Sequence, residues 1–141
     1  MKSIIRIPEA VLFILVAVIA LTGCKKGSSP DIRDDFTAIY SVVETWTENS
    51  KTVTRTAFTM TVLKSSVTDE MVLLNNFANY GAGITAEATV SGKTLTIPQQ
   101  TLSNQRAING SGTLSDQTLT ITYNESYNNT SISITAVATK K

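Results

Sequence analysis

The chain has 141 residues, with 12 Lys and Arg against 11 Asp and Glu, a net charge of +1, one cysteine and no histidine. That length fits one domain, and a near-neutral balance without a basic stripe excludes a nucleic-acid partner, whose phosphates demand clustered Lys or Arg. The missing histidine removes the usual general base, the Ser-His and Cys-His nucleophile pairs and the commonest transition-metal ligand, so neither catalysis nor a cofactor is expected.

At the N-terminus, Lys2 and Arg6 precede an apolar run over residues 10–21, followed by Thr22, Gly23 and Cys24. A basic start, an apolar middle and small residues at the cut make a bacterial secretion signal. The run is too short for the ~20 residues of a spanning helix. Leu21-Thr22-Gly23-Cys24 resembles the lipobox of bacterial lipoproteins, which implies cleavage before Cys24 and its acylation as the membrane attachment. Residues 1–23 are therefore read as a signal peptide, 24–33 as a lipidated flexible tether of small, polar, Pro-containing composition, and 34–141 as the folded domain. Lys25 follows the cysteine in place of the aspartate of inner-membrane retention. Outer-membrane sorting is expected, on either the periplasmic or the cell-surface face. From Cys24 onward ten basic and ten acidic residues balance, and with a lone cysteine the domain must be held by burial and hydrogen bonding without disulfides.

From Phe36 the chain alternates with the period of two that marks strands with one buried face, and it is rich in Thr and Val. Phe36, Ala38, Tyr40, Val42 and Trp46 share one face of a first strand, which ends in a turn over residues 48–51. Phe58, Met60 and Val62 mark a second strand. The third covers residues 71–77, its facing hidden by a continuous apolar start. A turn over residues 79–83 leads to a fourth with Ile84, Ala86, Ala88 and Val90 inward. Ser91-Gly92-Lys93 is a tight hairpin. In the fifth strand Pro98 lacks a backbone donor and implies an edge, a bulge or a strand end. Gly110 and Gly112 in the sixth suggest a sharply coiled or closely packed strand. The seventh carries Leu119, Ile121, Tyr123 and Tyr127 on one face, the eighth Ile132, Ile134, Ala136 and Ala138.

Eight strands joined by short turns read as an all-β antiparallel up-and-down meander, which removes its edges by closing into a barrel. A two-sheet β-sandwich is the alternative. The polar alternate face of Thr, Ser, Glu and Asn faces water, which excludes a membrane-spanning barrel, apolar outside and polar within. Glu44 shares the parity of Tyr40, Val42 and Trp46, and Glu125 that of Tyr123 and Tyr127. If the alternation runs to the strand ends, Glu44, Trp46, Tyr123, Glu125 and Tyr127 line one mouth of the barrel and give a ligand a polar anchor amid apolar surface. If it fails there, both carboxylates are solvated. Tyr80, between Asn79 and Gly81, suits stacking on a loop, whereas the pairs Asp34-Asp35 and Asp69-Glu70 lack the spacing of a calcium site. Large inward residues would fill part of the barrel, and Ala86, Ala88, Gly110, Gly112, Ala136 and Ala138 would leave space on the far side.

The lipobox and short linker, Leu73-Leu74-Asn75-Asn76-Phe77-Ala78-Asn79-Tyr80-Gly81, Leu95-Thr96-Ile97-Pro98-Gln99-Gln100 and Gly110-Ser111-Gly112-Thr113-Leu114 together resemble the small lipocalin-like, calycin-type lipoproteins of Bacteroidota. The resemblance covers the whole domain and implies a calycin-type barrel. The chain is much shorter than true lipocalins, and Trp46, preceded by Glu44-Thr45, lacks their Gly-x-Trp signature. Two readings of function follow. One is an envelope lipoprotein binding a small apolar or amphipathic ligand; the other is a non-enzymatic scaffold whose loops meet an envelope protein or glycan. Fold alone does not choose between them.

Overall fold

A computed structural model describes residues 29–141; the expected secretion signal and the expected lipidation site Cys24 lie outside the described residues. The strands are β1 (Ala38–Glu48), β2 (Lys51–Thr54), β3 (Phe58–Lys64), β4 (Met71–Asn75), β5 (Thr85–Ser91), β6 (Thr94–Thr101), β7 (Ala107–Ser115), β8 (Thr118–Tyr127) and β9 (Thr130–Lys140). Two short 3-10 segments, Ile32–Asp35 and Phe77–Asn79, accompany them. The sheet runs β2-β1-β3-β4-β5-β6-β7-β8-β9, and β9 pairs back onto β1 from Tyr40↔Lys140 to Trp46↔Ile134. That pairing closes eight antiparallel strands into a barrel and removes the sandwich alternative.

The additional strand, β2, was not expected: Val53 is the one apolar residue in Lys51-Thr52-Val53-Thr54, too little to show a period. It pairs with the far half of β1, Thr45↔Thr54 to Glu48↔Lys51, while β3 takes the near half on the same side. The break between them is bridged by Arg55 N–H donating to the Glu44 carbonyl at 2.9 Å. Pro98 sits at a bulge, with the β6–β7 register shifting between Ile97 and Gln100. Continuing the β5–β6 pairing past Thr89↔Thr96 would place Glu87 opposite Pro98, which has no N–H to give. The Gln100 side chain replaces the missing ladder, accepting from Glu87 N at 2.9 Å and donating to Glu87 O at 2.7 Å.

The inward faces form one continuous core in which Tyr40, Met60, Leu74, Leu95, Ile121 and Ile134 are among the fully buried side chains. Thr and Ser dominate the outward positions of β6 to β9, the reverse of a transmembrane barrel. The small inward residues are shut off from solvent, and at the glycines the space is occupied. Ala86, Ala88, Ala136 and Ala138 are buried, and a Cβ on Gly110 would lie 2.5 Å from the Thr122 carbonyl and 2.6 Å from Tyr123 Cβ. Glycine there lets β8 close in and seats Tyr123; the volume is already taken.

The barrel has two unlike ends. At its base the chain enters through the 3-10 segment Ile32–Asp35, beside residues 65–70 and the turns at 92–93 and 116–117. Asp31 caps the segment, accepting from Arg33 N, and Arg33 donates to the carbonyls of Ser65 and Thr68 at 2.9 and 2.8 Å. Residues 31–33, assigned by composition to the tether, are thus docked on the barrel. The other end, the mouth, is ringed by residues 49–50, 55–57, 76–84, 102–106 and 128–129.

Candidate functional site

β4 stops at Asn75, and above it the chain turns inward. Asn76, Ala78 and Asn79 all have positive φ (59°, 55° and 58°), a conformation that costs a non-glycine residue about 1–2 kcal/mol. The turn drives Phe77 into the barrel, 1% exposed, with its ring centroid 4.8 Å from that of Tyr123. Asn76 Nδ2 donates to the Thr59 carbonyl at 2.7 Å, and Arg55 Nη1 donates to the Ala78 carbonyl. Residues 76–80 therefore seal the wall where β4 falls short.

Under this segment lie the two glutamates. Glu44, on β1, is 1% exposed and Glu125, on β8, 4%; β9 alone separates their strands. Alternation persists as far as Glu44 on β1 and Glu125 on β8 before it fades at Trp46 and Tyr127, so neither carboxylate is solvated. Buried carboxylates need cations and donors, and each glutamate has both. Glu44 Oε1 accepts from the Tyr123 hydroxyl at 2.9 Å, and Oε2 lies 2.7 Å from Arg55 Nη1. Arg55 Nη1 aims its hydrogen bond at the Ala78 carbonyl, so Glu44 Oε2 has the charge contact without a directed bond. Glu125 accepts from Arg106 Nη1 through Oε1 and from the Tyr80 hydroxyl through Oε2.

The rings continue the pattern outward. The Arg55 guanidinium lies 5.5 Å from the Trp46 ring and 5.8 Å from that of Tyr80. The Arg106 guanidinium lies 4.8 Å from Tyr80 and 4.7 Å from Tyr127. Trp46, Arg55, Tyr80, Arg106 and Tyr127 thus form an alternating ladder of rings and cations across the mouth, a favourable order because each ring face is electron-rich. All five residues expected at the mouth are there: Glu44, Tyr123 and Glu125 within, Trp46 half-buried and Tyr127 exposed. Sequence reasoning missed the two arginines. The signal available was the demand of two inward carboxylates for cations at the same end of the barrel.

Burial pushes the Glu44 carboxyl above the usual glutamate range; Arg55 and the Tyr123 hydrogen bond oppose this, and the Glu125 charge adds to it. Burial likewise raises the Tyr80 hydroxyl to about 12, with Glu125 contributing, and keeps Tyr123 protonated and donating. Beside the ladder a cavity of about 250 Å³ opens between Arg106, Glu125, Tyr127, Asn128, Thr130 and Ile132. A wider, open groove of about 570 Å³ lies outside, where Thr45, Thr52, Ser133 and Thr135 present hydroxyls beside Trp46.

These features define a closed eight-stranded antiparallel barrel with a continuous buried core and an ion-paired mouth. Its fold is shared by the crystal structure of "a putative outer membrane protein" from Bacteroides fragilis, with a TM-score of 0.54 and 21% sequence identity over 79% of this chain. The chain spans 53% of the length of that protein, and at this identity the likeness is one of fold. No protein-family profile matches the sequence, and no curated protein does.

Proposed function

We propose that this chain is an envelope lipoprotein, attached through Cys24, that binds a small amphipathic molecule at the mouth of its barrel without catalysing its conversion. The observation that carries the reading is the mouth cluster. Two carboxylates at 1% and 4% exposure are held under two partly exposed arginines and three aromatic rings, beside a cavity with an apolar wall at Ile132. A display scaffold has no need of polar groups so costly to bury. The continuous buried core supports a ligand seated at the rim, unlike a lipocalin with a central pocket. Because the chain enters at the base, the mouth faces away from the attached end and toward the aqueous phase.

Native mass spectrometry of the lipidated protein purified from its own envelope tests this. An adduct retained by the wild type and lost in Tyr127→Ala is expected; a bare mass for both supports the second reading, a rigid scaffold, which the continuous buried core favours. Cys24→Ser is expected to leave the membrane fraction.

A further inference from the structure

The polar groups of the mouth are layered by sign. The carboxylates of Glu44 and Glu125 are inside, each already neutralised and hydrogen-bonded. The guanidinium groups lie outside them, the Arg55 side chain 25% and the Arg106 side chain 30% exposed. A molecule approaching from solvent meets the cations first. The surrounding loops reinforce this: residues 49–50, 55–57, 76–84, 102–106 and 128–129 contain no Asp or Glu. The nearest exposed acid on that rim, Glu48, is paired in register with Lys51.

Arg106 also has capacity in reserve. Its Nη1 is engaged by Glu125, while Nε and Nη2 meet no acceptor among the described residues. Arg33, at the base, uses Nε, Nη1 and Nη2 on protein acceptors. A guanidinium presents five N–H donors in a planar fork suited to paired oxygens, and stacking between Tyr80 and Tyr127 holds this one in place. The cavity it borders, about 250 Å³, is smaller than the roughly 300–1,000 Å³ of pockets that enclose a drug-sized ligand. It suits a head group with the remainder of the molecule along the open rim.

Building on the binding reading above, we infer that the head group is anionic: a carboxylate, sulfate or phosphate seated on the free donors of Arg106, its apolar portion lying on Tyr127 and Ile132.

The test follows the fluorescence of Trp46, the single tryptophan, on titration below the micelle limit with octanoate, octyl phosphate, inorganic phosphate, octyltrimethylammonium and octyl glucoside. Octanoate and octyl phosphate are expected to bind at least about tenfold more tightly than the glucoside, a gap suited to a charge-assisted pair, and the ammonium probe not to bind. Equal affinity for the glucoside overturns the anionic head and leaves mouth binding standing. Binding of inorganic phosphate as tight as octyl phosphate supports the anion site and overturns the amphipathic ligand. No binding of any probe overturns both. The double variant Arg106→Gln/Glu125→Gln removes both charges together and is expected to abolish the preference. Tyr127→Leu, an exposed position outside the ion pairs, keeps the test independent of folding and is expected to weaken octyl phosphate several-fold. Unchanged affinity in both variants overturns the assignment to Arg106, and Lys93→Gln at the base is the unaffected control.

Discussion

The base and the mouth are built from the same kinds of residue in opposite order. At the base a buried arginine lies under more exposed acids: Arg33 is 7% exposed, with Asp31 and Asp69 around it and Lys64 bridging Asp31 and Asp34 at 3.0 and 2.5 Å. Arginine stays charged at any working pH, and it is shared between two fixed carbonyls, those of Ser65 and Thr68, and the carboxylates of Asp31 and Asp69, so this arrangement is a clamp across the base. At the mouth the carboxylates are buried and the arginines face out, which leaves the group whose charge can change in the low-dielectric layer. Burial order, more than composition, decides in which direction each end responds to pH and which end presents cations to solvent.

Removing what seats the mouth should have the largest effect. Gly110→Ala places a Cβ against the backbone of β8 and displaces Tyr123; a loss of about 2–3 kcal/mol is expected from overpacking, read as a lower urea midpoint. Tyr123→Phe keeps the ring packing but leaves Glu44 Oε1 buried without its donor. It should cost about 1–3 kcal/mol at neutral pH, and less in acid, where Glu44 is protonated. An equal loss at both pH values would show that Glu44 is not ionised beneath the mouth.

Thermal melts across pH sharpen the contrast. A carboxyl raised in the folded state, as Glu44 is, contributes stability that is complete below its unfolded value of 4.5 and is lost as pH rises through the folded value. Glu44→Gln should therefore flatten the decline above pH 4.5. The hydrogen bonds and charge of Arg33, with help from Lys64, hold Asp31 well below 3.8, so its contribution is present above 3.8 and lost as pH falls. Asp31→Asn should lower the melting temperature at neutral pH and converge with the wild type in acid. The two curves should diverge from wild type in different pH windows and with opposite dependence. The smallest effect is at Ala78, with φ of 55°: Ala78→Gly should stabilise by about 0.5–1 kcal/mol, the relief of left-handed strain exceeding the added chain entropy, read as a small rise in melting temperature.

Alternation made the barrel strands legible, because Phe36 to Ala138 carry a buried face that any register must respect. The same parity placed Glu44 and Glu125 inside. What could not be read was non-local. Arg33 resembles part of a polar linker because its acceptors, Ser65 and Thr68, lie more than thirty residues away. Phe77 continues the apolar run of β4, and nothing in Met71-Val72-Leu73-Leu74 announces that the chain leaves the wall at Asn76. Arg55 sits in a break between strands, so its place beside Glu44 depends on β1 pairing with β2 and β3 in succession. The glycines signalled close packing, but whether they left a void depended on which side chain faced them across the sheet.

The seam between β1 and β9 also sets the folding problem. It joins residues 40–46 to 134–140, so the first long strand synthesised waits for the last. Contacts of such sequence separation carry a large loop-closure cost before they return any stability, which places folding in the slow, millisecond-to-second range of β-rich domains. Until closure, β1 and β9 are edges with unpaired backbone groups, and the outward Ile39, Val43 and Val137 beside the seam are exposed. Two unfinished copies can satisfy those edges on each other. The hazard for this chain is intermolecular pairing of the two terminal strands before the seam closes, and it grows with concentration.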